Sequence, residues 1–151
     1  MDVGAPCPLL IADDHNLRLI FYSNDEDQIE LRQRDNIYDQ GIIELKFIRH
    51  NFFSFSPPND EALNGHPYYE LDLRSYSFYE LQDSDLIARI STYGRHHHFY
   101  NPNAYNKSHH YVLTFKEQLF ECVAHGFEIY KHNETTIYHQ GLNVLNQIYK
   151  P

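Results

Sequence analysis

Asn59, Asp60, Glu61, His66 and Tyr68 lie in one stretch, residues 56–69 (SPPNDEALNGHPYY), with proline at positions 57, 58 and 67. Each proline fixes φ and removes a donor, and Gly65 opens backbone conformations that are closed to other residues. A carboxylate and an imidazole held in such a loop lose little entropy on engaging a ligand. Glu61 and His66 therefore have the makings of an acid/base pair or of two metal ligands. The structural alternative is that Asn59 and Asp60 cap Asx turns or a short helix over residues 60–63.

A second set is His110, Glu121 and His125. If residues 111–124 form a hairpin with Glu117 and Gln118 at its tip, position i pairs with 235 minus i. His110 then lies across from His125, and their Cβ atoms would be about 4.5 to 5.5 Å apart, close enough to share a divalent metal with Glu121 or a loop residue as third ligand. Against this stands a solvated sheet face on which neutral histidines are tolerated. The run His96, His97 and His98 precedes the loop residues Asn101, Pro102 and Asn103. Exposure alone would let it bind metal, so it is set outside the site.

The hairpin that positions these groups can be checked by polarity. The 235 minus i register places Tyr111, Leu113 and Phe115 on one face with Phe120, Cys122 and Ala124, all apolar or aromatic. His110, Val112, Thr114, Glu121, Val123 and His125 fall on the other face. A one-residue slip would mix the two sets. Cys122 points into the apolar face, which makes it a buried thiol and not an activated nucleophile. Alternation over 41–55 predicts two strands with a turn near residues 49–51, Ile43, Leu45 and Phe47 on one face and Glu44 and Lys46 on the other. Residues 17–22 and 29–34 read as a hairpin bent at the acidic run 24–27, which lacks the ligand spacing of a calcium loop.

Residues 76–81 form a further short strand leading into a helix capped by Asp83 or Ser84, with Leu86, Ile87, Ile90 and Tyr93 at helical spacing before Gly94. Another strand is expected over 127–131. A terminal helix from about Thr136 carries Ile137, Tyr138, Leu142, Leu145, Ile148 and Tyr149, with Gly141 weakening it by roughly 1 kcal/mol. The fold expected is mainly β (α+β): one domain over residues 1–151, an antiparallel sheet curled into a small barrel or sandwich, one internal helix and one C-terminal helix.

The chain has 151 residues, with 12 Lys plus Arg against 21 Asp plus Glu, a formal charge of −9. That balance repels phosphate backbones and anionic lipids, so neither nucleic acid nor a membrane is an expected partner. Protonating all 11 histidines would move the formal charge to +2 (−9 plus 11), so surface charge responds to mild acid. The longest apolar runs fall far short of the roughly 20 residues that span a bilayer. The first residues lack the pattern of a secretion signal, and Cys7 and Cys122 read as reduced thiols, so an intracellular, cytoplasmic protein is expected. With 13 Tyr and 10 Phe but no Trp, both the core and any cleft should be aromatic.

The motifs PNDEAL at 58–63, GHPY at 65–68, YSFYE at 76–80, HYVLTF at 110–115 and FEC at 120–122 occur in this order. In this the chain resembles, over residues 40–128, a group of small bacterial proteins that share a proline-asparagine-aspartate-glutamate loop, a glycine-histidine-proline turn, a helix and an aromatic hairpin. The resemblance implies that loop and hairpin form one unit. It brings no activity with it, and the first 40 residues and the terminal helix lie outside it. Nucleotide loops, zinc knuckles and nucleophile elbows do not occur. The function expected is a binding module for a small ligand or protein partner. The alternative is a small acid/base or metal-assisted hydrolytic enzyme using Glu61, His66 and His110.

Overall fold

The computed structural model describes residues 6–23, 41–133 and 135–149. Among the described residues, eight strands form two four-stranded antiparallel sheets. The first has the order β1 (Leu9–Ala12), β2 (Leu17–Ser23), β3 (Gly41–Ile48), β8 (Gly126–His132). The second has the order β4 (Phe52–Ser56), β7 (Leu119–Ala124), β6 (His109–Thr114), β5 (Phe78–Leu81). Neither sheet is closed into a barrel. The expected turn at 24–27 and the strand at 29–34 lie outside the described residues, and β2 pairs instead with β1 and β3.

One core joins the sheets. Leu17, Leu19 and Phe21 of β2 and Leu45 and Phe47 of β3 meet Tyr111 and Leu113 of β6, Phe115, and Phe120, Cys122 and Ala124 of β7. Aromatic edges bridge the two layers, with Phe21 and Phe115 centred 5.4 Å apart and Phe47 and Phe120 5.2 Å apart. Period-2 alternation dictates this arrangement, since each strand turns every second side chain inward.

The chain passes between the sheets at one corner. β3 and β4 are consecutive but do not pair. β3 pairs with β8, while β4 pairs with β7. The two antiparallel ribbons bend together there. Asn51 N–H donates to the Val123 carbonyl and His125 N–H to that of Ile48, both at 2.8 Å. Arg49, at φ 49°, takes the sharp turn.

Both outer faces are also covered. Helix α2 (Ile137–Ile148), capped by Thr136, lays Val144 against Ile20 and Ile42. Gly141 serves this packing: a Cβ there would come 2.6 Å from Leu9 Cδ2. Glu44, expected on a polar face, is therefore 3% exposed. It is satisfied by Arg18, by Gln140 Nε2 at 2.8 Å and by His132 Nε2 at 3.0 Å. On the second sheet, Leu63 and Leu73 of the loop segment pack on Val112 and Leu119. Helix α1 (Asp85–Ser91) sets Leu86 and Ile90 on Val123. Among the described residues no helix is long and apolar enough to cross a membrane.

Two expectations need correction. The β6–β7 register is 233 minus i, so that His110 opposes Val123, Val112 opposes Glu121, and Thr114 opposes Leu119. A two-residue shift preserves the two faces but moves every partner, because the turn closes over residues 115–118, where Phe115 N–H donates to the Gln118 carbonyl at 2.9 Å. The face carrying His110 and Thr114 is also not solvated: these residues are 0% and 1% exposed beneath the loop and α1.

Candidate functional site

The loop folds as the structural alternative has it. Asn59 caps a 3-10 turn over Asp60–Gly65, its side chain accepting from Ala62 N–H at 3.0 Å. Asp60 accepts from the Tyr76 hydroxyl at 2.8 Å, and its N–H donates to the Lys116 carbonyl at 2.9 Å, docking the loop on the hairpin tip. Glu61 is exposed on the outside of the turn. Gly65 does not use its conformational freedom, since no glycine among the described residues has positive φ. The loop then brings His66 and Tyr68 back over the sheet. Their rings are 5.1 Å apart, and Tyr68 meets His110 edge-on at 5.6 Å.

Between this loop, α1 and β7 lies an open cleft of about 530 Å³, lined by His66, Pro67, Tyr68, Asp85, Leu86, Arg89 and Glu121. Of the sequence candidates, His66, Tyr68 and Glu121 share this cleft, and His110 lies directly behind it. Asn59, Asp60 and Glu61 do not line it. His125 sits at the corner between β7 and β8 with its N–H on Ile48, two register positions from where a pair with His110 would need it. Among the described residues no three His, Cys, Asp or Glu side chains are gathered as a metal ion would require.

Glu121 is the focus of the cleft. The strand pairing sets Ser54 of β4 directly opposite it and His110 diagonally across β6. His110 Nε2 lies 2.9 Å from Glu121 Oε1, and the Ser54 hydroxyl donates to Oε2 at 3.4 Å. Behind His110, its Nδ1 is 2.7 Å from Ser84 Oγ, which accepts from Ile87 N–H at 3.2 Å as the N-cap of α1. Glu121 fixes one proton: an ionised carboxylate only accepts, so His110 Nε2–H donates to it, while Ser84 Oγ, with two lone pairs, accepts from Ile87 N–H and shares a further hydrogen bond with Nδ1.

Hydroxyl, imidazole and carboxylate thus stand in the order of a nucleophilic relay, with the carboxylate and not the hydroxyl toward the cleft. His110 is fully buried and Ser84 does not line the cleft. The end that reaches the cleft is the carboxylate. Burial works to raise the Glu121 carboxyl, but the His110 hydrogen bond and the charges of His110 and His66, with Ser54, outweigh it and hold the group below the ordinary carboxylate value. Burial pushes His66 below the usual histidine range, partly offset by the charge of Glu121. His66 Nδ1 accepts from Tyr68 N–H at 3.2 Å, so Nε2 carries the proton. Tyr68 is raised by burial and by the charge of Glu121 and its hydrogen bond to it.

Ser54, Ser84, Asp85 and Arg89 were not legible as site residues. Ser84 announces itself only as a cap, and the phase of β4 is hidden by phenylalanines on both of its faces. Arg89 and Asp85 are one helical turn apart on α1, a spacing that sequence alone assigns to solvent. A scan of family models, a search of curated proteins and a search of solved structures each return no match to this chain.

Proposed function

We propose that the protein is a binding module that takes a small molecule in the cleft between the 57–69 loop, α1 and β7, on a domain whose two sheets pack as a sandwich. One observation carries this proposal: His66, Tyr68, Arg89 and Glu121, from three separate elements, converge on one opening while His110 and Ser54 fix Glu121 from behind. Concave sites with aromatic walls and a few oriented polar groups are what small ligands use. Binding is favoured over acid/base catalysis because both oxygens of Glu121 are already engaged and its carboxyl is lowered. A general base works best with a value raised toward the operating pH. Metal-assisted hydrolysis is disfavoured further, since Glu61 is exposed outside the cleft. Fragment screening by NMR on isotopically labelled full-length protein tests the proposal. Hits should shift the amides of His66, Tyr68, Leu86 and Glu121 together. Hits that map only elsewhere would overturn it.

A further inference from the structure

Among the described residues, neither Lys nor Arg pairs with Glu121. Its hydrogen bonds come from the Ser54 hydroxyl, from His110 Nε2–H and from Tyr68. A half-buried carboxylate is poorly screened, and the open side of Glu121 faces the cleft. Asp85 adds a second negative group, while Arg89 is exposed one turn along the same helix. Counting two carboxylates against one guanidinium, with His66 lowered by burial and so neutral at pH 7, the lining carries net negative charge at that pH. Its walls are otherwise the Tyr68 ring, Pro67 and Leu86.

Resting on the binding reading, we propose that the ligand is a small organic ammonium ion with an aromatic or aliphatic body. Its nitrogen binds at Glu121 beside the Tyr68 ring, and its body lies against Pro67 and Leu86. An N–H donor cation suits a carboxylate with charge to share, and a phenol ring adds attraction for the same charge. A bare metal ion is a poor fit, since among the described residues Glu121 has no second and third ligand of the kind such an ion requires. An anion would meet the net negative lining.

The test uses three probes of matched shape, 2-phenylethylamine, 2-phenylethanol and phenylacetate, titrated into full-length protein with amide shifts as the readout. The amine should shift His66, Tyr68, Leu86 and Glu121 saturably and bind at least about tenfold more tightly than the alcohol or the acid. Glu121→Gln should remove that advantage. Alcohol or acid binding in the cleft as tightly as the amine would overturn the ammonium assignment while leaving the cleft a binding site. If none of the three shifts these amides, the ammonium assignment also falls, and the fragment screen separately decides whether the cleft binds anything. The wild-type comparison alone suffices should Glu121→Gln fail to fold.

Discussion

Cys122 and His66 mark the two kinds of residue in this domain. Cys122 is fully buried between sheets, and burial drives its thiol far above the ordinary value. Native protein should therefore react slowly with thiol reagents at this position, and Cys122→Ser should cost about 1 to 3 kcal/mol in denaturant unfolding, because the hydroxyl would lack a partner. Rapid labelling of the native thiol would contradict its placement. His66 is half-buried, and the bond its ring accepts from Tyr68 N–H is local. His66→Ala should change stability by less than about 1 kcal/mol while weakening fragments bound in the cleft. Large destabilisation with unchanged binding would make it a structural residue. The side chain of Cys122 was legible because a strand face is fixed by parity alone. Which loop residues face the cleft was not, since the 3-10 turn over Asp60–Gly65 sends Glu61 outward and His66 inward, and no periodicity in the sequence encodes that choice.

At the scale of elements, α1 and the hairpin are coupled through Ser84, which caps the helix and meets His110 on β6. Ser84→Ala removes both contacts and should cost about 1 to 2 kcal/mol, more than an isolated cap in an exposed helix, by thermal or denaturant unfolding. A loss no greater than a few tenths would show that His110 does not depend on it. The helix and its cap were readable from sequence because Ser84 precedes Leu86, Ile87 and Ile90 at helical spacing. The hairpin faces were readable too, but its register was not: shifts of two residues preserve polarity, and only the turn chooses between them. Gly141 shows a similar limit. Read from the sequence it weakens α2, yet in the fold it lets the helix approach Leu9. Gly141→Val should lower stability by about 1 to 3 kcal/mol through overpacking.

For the whole molecule, the mainly β plan follows from alternation and aromatic content, whereas the corner where the chain crosses from β3 to β4 and from β7 to β8 leaves no pattern, because residues 41–55 read as two strands joined by a simple turn. Acid response is a property of the assembled fold. His50 and His66 are both lowered from 6.5, chiefly by burial. The unfolded chain therefore takes up protons at these sites first, and their contribution is lost as pH falls below about 6.5. Glu121 is lowered from 4.5 despite burial, through His110. Its contribution is present above that value and lost as pH falls through the lower folded one. Tm should thus decline steadily from pH 7 to pH 4, and a rise over that interval would contradict the burial of these groups. Above all, Glu121 stands as an acceptor at the cleft, bonded from behind by His110 Nε2–H. Long-range nitrogen-proton NMR of the imidazole rings at neutral pH tests it most directly. A proton on His110 Nε2 is expected. A proton on Nδ1 alone, with Nε2 bare toward Glu121, would contradict this arrangement.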